Sequence, residues 1–82
     1  MTLVRVTPEE FFANLDALKT RGIEVETQPS HTPFGFSVVQ VRFEWTIDAT
    51  TGKGIAVKRW TSSDPVTYQF DDQYLSEARD AR

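Results

Sequence analysis

The residues that could carry chemistry in this 82-residue chain are few, and none has the neighbours that a catalytic or metal site needs. His31 is the only histidine, and no second imidazole or suitably spaced carboxylate accompanies it to form a metal site or a catalytic triad. Asp64, Asp71 and Asp72 occupy predicted turn and helix-capping positions, without the ligand spacing of a cation site. We therefore predict no catalytic residue, no metal and no cofactor.

Gly52-Lys53-Gly54 is the stretch that most suggests a phosphate-binding loop. A P-loop needs an earlier glycine at the position where Ile47 stands, and serine or threonine after the lysine, where Gly54 stands. A hairpin turn explains this stretch fully. The chain also has no cysteine, which excludes disulfide bonds, thiolate ligands and cysteine nucleophiles. The sequence predicts a protein that is not an enzyme.

Composition and charge narrow the classes of partner. The formal net charge is −3, whereas a domain that binds a phosphate backbone usually carries a basic excess, so nucleic acid is an unlikely main partner. The N-terminus lacks the apolar run of a signal peptide, and no apolar stretch is long enough to span a bilayer. We expect a soluble cytoplasmic protein without a membrane partner.

The clearest local element is a helix that begins near residue 7. Thr7 suits the N-cap, Pro8 suits the first helical position, and Glu10 completes a capping box. Gly22 can adopt the left-handed conformation that ends a helix. The apolar residues that share one face of this helix are Phe11, Leu15 and Leu18.

The rest of the chain alternates between strand patterns and turns. Strands are predicted at residues 3–6, 23–27, 39–48, 55–60 and 66–70, with a loop at 28–35 and a short helix after Asp71 or Asp72. We predict one α+β domain over residues 1–82, with a mainly antiparallel sheet of four to five strands. Its N-terminal helix follows a short first strand, and a short helix ends the chain. Local patterns do not place the first strand in the sheet.

Two predicted turns set the register of the central strands. A three-residue turn ending at Gly52 places Trp45 opposite Val57, and the same register pairs Ile47 with Ile55, Glu44 with Lys58 and Arg42 with Trp60. A two-residue turn at residues 63–64 pairs Val57 with Phe70, Arg59 with Tyr68 and Trp60 with Thr67. Both registers predict that the face bearing Val39, Val41, Phe43, Trp45 and Ile47 is the buried one.

The predicted outward face carries the candidate partner-binding residues. Tryptophan and arginine are the types most enriched among interface hot spots, and Trp60 and Arg42 would be neighbours there. The alternatives are that the second helix covers Trp60, or that Arg42 simply stacks on it. The predicted partner-binding residues are Arg42, Glu44, Lys58, Trp60 and Thr67, with Phe34 and Phe36 as a second anchor in the 28–35 loop and its flank.

The functional hypothesis follows from these residues and from the lack of a catalytic set. We predict a small protein-binding module, such as an inhibitor, immunity protein or adaptor, that acts by covering a partner's surface. An inhibitor encoded by a phage or mobile element would fit this description. An acidic chain suits a basic partner such as a nucleic-acid-handling protein. The alternatives are a sheet platform for single-stranded nucleic acid and a structural subunit that forms a homodimer. The sequence lacks the basic cluster of double-stranded-RNA modules and the aromatic strand motif of RNA-recognition modules.

Overall fold

The fold is a five-stranded antiparallel sheet with two helices, described here from a computed structural model that covers residues 2–32 and 41–82 (for residues 30–32, the backbone alone). The elements in chain order are β1 (Leu3–Val6), α1 (Pro8–Thr20), β2 (Val25–Thr32), β3 (Val41–Asp48), β4 (Gly54–Thr61), β5 (Thr67–Asp71) and α2 (Asp72–Ala81). The strand order is β1-β5-β4-β3-β2. This confirms the predicted α+β class. Within the described part of the chain, neither helix is long and apolar enough to cross a membrane.

Helix α1 begins and ends at the predicted residues, but among the described residues only the Thr7 half of the predicted capping box is formed. The Thr7 hydroxyl accepts a hydrogen bond from the Glu10 amide at 3.1 Å, and Pro8 stands in the first turn. Gly22 has a φ of +92°, the left-handed conformation that glycine adopts without strain. The Glu10 carboxylate accepts a hydrogen bond from Nε of Arg79 in α2 at 3.0 Å, so the capping segment also ties the two helices together.

The hydrophobic core lies between the two helices and one face of the sheet. Phe70 of β5 and Leu18 of α1 are fully buried at its centre. The small side chain of Ala56 lies opposite Phe70 in the register and leaves room for the helices to pack closely. The core cluster consists of Val6, Phe11, Leu15, Leu18, Ile55, Ala56, Phe70, Leu75 and Ala78.

The register of β3 and β4 agrees with the prediction except at its hairpin end. Trp45 faces Val57, and the pairs Glu44–Lys58 and Arg42–Trp60 are confirmed. Ile47, however, faces Gly54 and not Ile55, because a β-bulge inserts one extra residue in β4. As a result Ile55 and Ala56 both belong to the helix-side core, whereas the buried Val57 does not.

The predicted register of β4 and β5 was wrong by one residue. Ala56 faces Phe70, Val57 faces Gln69, and Arg59 faces Thr67. The connection between the strands is residues 62–66, longer than a two-residue turn, and the Thr61 hydroxyl organises it by accepting the Asp64 amide at 2.8 Å. A one-residue slip turns every β5 side chain to the other face. The helices therefore cover the face of Phe70, and the Trp45 face predicted to hold the core is the one without a helix.

The edge strands also differ from the prediction. The predicted loop at 28–35 is strand up to Thr32, because β2 pairs with β3 along eight residues. Pro29 fits inside this strand because β2 is at the sheet edge, where one side of the backbone needs no donor. Strand β1 occupies the opposite edge, antiparallel to β5.

Candidate functional site

The candidate site is the part of the helix-side sheet face that extends beyond the core. Trp60 of β4 is half-buried and belongs neither to the core cluster nor to the residues packed against it. The Nζ of Lys58 lies 5.3 Å from the centre of the Trp60 ring, a cation–π contact, because the two residues are two apart on one strand. Arg42 of β3 is exposed and stands directly across from Trp60. A half-exposed indole is thus flanked by two cations.

Aromatic side chains continue this surface towards helix α1. Tyr68 faces Lys58 across the β4–β5 pair, and its ring centre is 5.9 Å from that of Phe12. Phe12 is 54% exposed, the most exposed of the large apolar side chains in the described residues. We call the whole row the aromatic–cation band. Its members, in order from α1 to β3, are Phe12, Tyr68, Lys58, Trp60 and Arg42.

The band ends in a shallow pocket of about 210 Å³ lined by Arg42, Trp60, Thr61 and Ser62. Pockets for drug-sized molecules usually measure about 300–1,000 Å³, so this one suits a single side chain more than a small-molecule substrate. A second pocket, about 280 Å³, borders the other side of Trp60 and includes Arg5, Arg59 and Asp64. Both pockets beside Trp60 are smaller than that range.

The two cations of the band have free charges in the described structure. The ion pairs found between described residues are Arg21–Glu77 and Arg79–Glu10, and neither involves Arg42 or Lys58. Glu44 lies opposite Lys58 in the register without forming an ion pair with it. With the Glu44 carboxylate beside them, the two positive charges and one negative charge leave a net local charge of +1, although the whole chain carries −3.

The predicted site residues separate into three groups. Arg42, Glu44, Lys58 and Trp60 lie together on the helix-side face, and neither helix buries Trp60. Thr67 lies on the opposite face, across from Arg59, because of the shifted β5 register. The alternative from the sequence was that Arg42 stacks on Trp60; the cation found over the Trp60 ring is Lys58. Phe34 and Phe36 fall outside the described residues.

Two members of the band, Phe12 and Tyr68, were missed by the sequence reasoning. Phe11 and Phe12 are adjacent in a helix, where neighbouring side chains point about 100° apart, so both cannot face the core. The helical spacing therefore indicates that Phe12, unlike Phe11, is an aromatic residue outside the core. Tyr68 had no usable signal, since the one-residue error in the β5 register placed it on the wrong face.

A second polar cluster, at the other end of the sheet, is explained by the fold. Asp48 accepts the Thr50 amide at 2.9 Å in the β3–β4 hairpin and the Tyr74 hydroxyl of α2 at 3.1 Å. These hydrogen bonds, that from Thr50 foremost, lower the pKa of Asp48 from its ordinary value. Burial, reinforced by the neighbouring Asp48 carboxylate, raises the pKa of Tyr74. The cluster ties the β3–β4 hairpin to α2.

Neither a metal site nor a relative points to a function. Among the side chains described, those of residues 2–29 and 41–82, no group of three or more metal-ligating residues could hold a metal ion. Comparison with protein-family models, curated proteins and solved structures gives no match. The geometry of the band is therefore the basis for a functional assignment.

Proposed function

We propose that this protein is a non-enzymatic protein-binding module that recognises an acidic, partly apolar segment of a partner through the aromatic–cation band. The observation that carries the proposal is Trp60, held half-exposed beneath Lys58 and beside Arg42, with a pocket of side-chain size next to it. An apolar side chain of the partner fills the pocket, and its carboxylates pair with the two cations. Small inhibitors, immunity proteins and adaptors of this kind act by covering a partner's surface.

The charge of the band supports an acidic contact. The chain's charge of −3 favours a basic partner at long range, such as a nucleic-acid-handling protein. At physiological salt, however, exposed charges are screened beyond about 8 Å, so the groups next to the contact dominate its affinity. Those groups are Arg42 and Lys58, which form no ion pair in the described structure, and the Glu44 carboxylate, so the net charge next to the contact is still positive.

Single-stranded nucleic acid is the second candidate, because it offers the same two chemistries. Bases stack on exposed aromatic rings and phosphates pair with cations, and the contact of Lys58 with Trp60 places a cation directly beside such a ring. Binding of this kind weakens steeply with salt, in proportion to the number of phosphates contacted. A protein contact in which an apolar side chain of the partner fills the pocket beside Trp60 is expected to weaken less as the salt concentration rises.

The test is a titration monitored by the indole N–H signals of Trp45 and Trp60 in a ¹⁵N-labelled sample. Three probes are compared: a peptide alternating glutamate with leucine or phenylalanine, the same peptide with lysine for glutamate, and oligo(dT). We expect the acidic peptide to shift the Trp60 signal and not that of Trp45, which lies on the opposite face. Saturable binding of oligo(dT) that is lost at moderate salt would instead favour the nucleic-acid function.

Variants of the band distinguish a specific contact from general stickiness. Trp60→Ala and Arg42→Ala should each weaken acidic-peptide binding at least fivefold, the loss expected for hot-spot residues costing more than about 1 kcal/mol. Val66→Ala is the matched control, since Val66 is 43% exposed and lies outside the band. Binding that stays within about twofold of wild type in both band variants would exclude the band as the site.

A further inference from the structure

The sheet face opposite the helices has an apolar centre of its own. Phe43 and Trp45 stack with ring centres 6.3 Å apart and an interplanar angle of 22°. The Arg59 guanidinium lies 6.0 Å from the centre of the Phe43 ring. Val57 is buried between its sheet neighbours, whereas Phe43, Trp45 and Ile47 are half-buried. Both helices pack on the other face, so no helix of the described chain covers this one.

We call this surface the open face, defined by Glu26, Phe43, Trp45, Ile47, Val57 and Arg59. Glu26 and Arg59 are exposed, and neither takes part in an ion pair within the described structure. A third exposed charge, Arg5 of β1, is on the same side of the sheet but lies two strands beyond Arg59, at the sheet edge. Glu26 and Arg59 have opposite signs and lie on opposite sides of the apolar centre. A face with this layout can match a copy of itself.

The register shows how closely the two charges mirror each other about Trp45. Glu26 is on β2, one strand to one side, and it pairs with Ile47, two residues after Trp45. Arg59 is on β4, one strand to the other side, and it pairs with Phe43, two residues before Trp45. Trp45 is therefore midway between the two charges on the sheet surface.

We propose that a second copy of this chain docks on the open face, with the two-fold axis of the dimer passing through the Trp45 position. A two-fold axis in the interface, perpendicular to the line from Glu26 to Arg59, exchanges these two positions. Each Glu26 then meets Arg59 of the other copy, and the two Trp45 side chains meet at the axis. A two-fold symmetric interface between identical chains requires this self-complementarity, whereas an interface with a different protein does not. Sheet-on-sheet packing is a common way to bury such a face.

The dimensions of the face suit a modest interface. Five strands about 4.8 Å apart, each four to eight residues long at about 3.3 Å per residue, give the whole face an area of roughly 300–600 Å². Because β3 has one strand on one side and three on the other, the two copies overlap over only part of this area. Stable interfaces bury about 800 Å² of accessible surface per partner, and accessible surface exceeds a flat footprint. We expect a dimer that forms at high protein concentration and dissociates on dilution.

The experiment is sedimentation equilibrium of the full chain from about 5 to about 500 μM, because dimerisation follows mass action. Wild type should dimerise, and Glu26→Lys or Arg59→Glu alone should raise the dissociation constant about tenfold, since the symmetry repeats each lost pair twice. The double variant Glu26→Lys/Arg59→Glu restores both pairs with their signs exchanged, so its dissociation constant should return to within about threefold of wild type. Asp80→Lys and Lys19→Glu, which reverse charges on the helices, are the matched controls.

A second measurement locates the contact without any variant in the interface. On dilution of a ¹⁵N-labelled sample, the indole N–H signal of Trp45 should shift and that of Trp60 should not, with Trp60→Phe providing the assignment. A monomer at every concentration would overturn the proposal. So would a dimer that the single reversals leave intact, or one that the double reversal fails to restore. The result is independent of the proposed partner binding, which uses the opposite face.

Discussion

Replacing Asn14 with leucine should stabilise this protein. Asn14 is fully buried in α1, and its side-chain nitrogen has no hydrogen-bond acceptor among the described residues. Its side-chain oxygen accepts a bond from Nη1 of Arg82 at 2.7 Å. Leucine has the same branching and the same number of side-chain heavy atoms, so the substitution changes polarity while nearly preserving shape.

The expected gain is the difference between three effects. An unsatisfied buried donor costs about 1–3 kcal/mol, and that cost disappears with the amide. Leucine is the better helix former, by up to about 0.5 kcal/mol. Against this, the bond to Arg82 is lost, and an intramolecular hydrogen bond contributes about 0.5–1.5 kcal/mol. Arg82 is exposed and can bond to water instead, so the loss falls at the low end of that range. The net gain is about 1–2 kcal/mol.

Urea unfolding followed by tryptophan fluorescence and by circular dichroism measures this gain. The midpoint should rise with the slope unchanged, and the melting temperature should rise by roughly 4–8 °C per kcal/mol for a domain of this size. Arg82→Ala is the opposite perturbation, because it leaves the buried Asn14 oxygen without its partner as well, and it should lower the free energy of unfolding by about 1–3 kcal/mol. If Asn14→Leu unfolds at a lower urea concentration than wild type, the side-chain amide is satisfied in solution and the reasoning fails.

Four further predictions concern residues at the ends of the elements. Thr7→Ala should lower the free energy of unfolding, measured with urea, by about 1 kcal/mol because the N-cap of α1 is lost. Thr7→Ser should retain most of that stability. Gly52→Ala should destabilise the β3–β4 hairpin by about 1 kcal/mol, because Gly52 has a φ of +77°, where a Cβ is strained; equal midpoints would contradict this. The lowered pKa of Asp48 means that its contribution to stability is present above the ordinary aspartate value of about 3.9 and is lost as pH falls through the folded value. Unfolding midpoints measured from about pH 7 down to about pH 2 should therefore fall less steeply for Asp48→Asn than for wild type. The raised pKa of Tyr74 means that its contribution is lost as pH rises above about 10, so Tyr74→Phe should flatten the alkaline side of the same profile.

Local signals predicted the elements and one register well. The cap at Thr7 and the end of α1 at Gly22 depend on single residues and their immediate neighbours, so sequence reasoning finds them. The β3–β4 register was predictable because a short turn limits the possible pairings, and a slip would have placed Trp45 opposite Lys58. Three of the four predicted pairs there are confirmed, and the bulge at Ile55 accounts for the fourth.

The candidate site was only partly predictable. Arg42, Lys58 and Trp60 were placed together correctly because they follow from the β3–β4 register. Thr67 was placed on the wrong face and Tyr68 was missed, because both depend on β5. The 62–66 connection is shaped by hydrogen bonds to the Thr61 hydroxyl, and turn preferences of single residues do not specify its length.

The sequence by itself determined the two helices, where α1 begins and ends, and how β3 meets β4 up to the bulge, because these depend on contacts between residues close in the chain. It did not determine the extension of β2 to Thr32, which depends on pairing with β3. Tertiary structure alone decided the strand order, and with it the face that the helices cover. Strands β1 and β2 are parallel to each other at opposite edges, so the connection through α1 crosses the whole sheet. Such crossovers are right-handed in about 98% of proteins, so the covered face follows from the strand order and not from the alternation within any strand. The pairing of β1 with β5 joins residues at opposite ends of the chain, and it leaves Trp45 on the open face and Trp60 beside the helices.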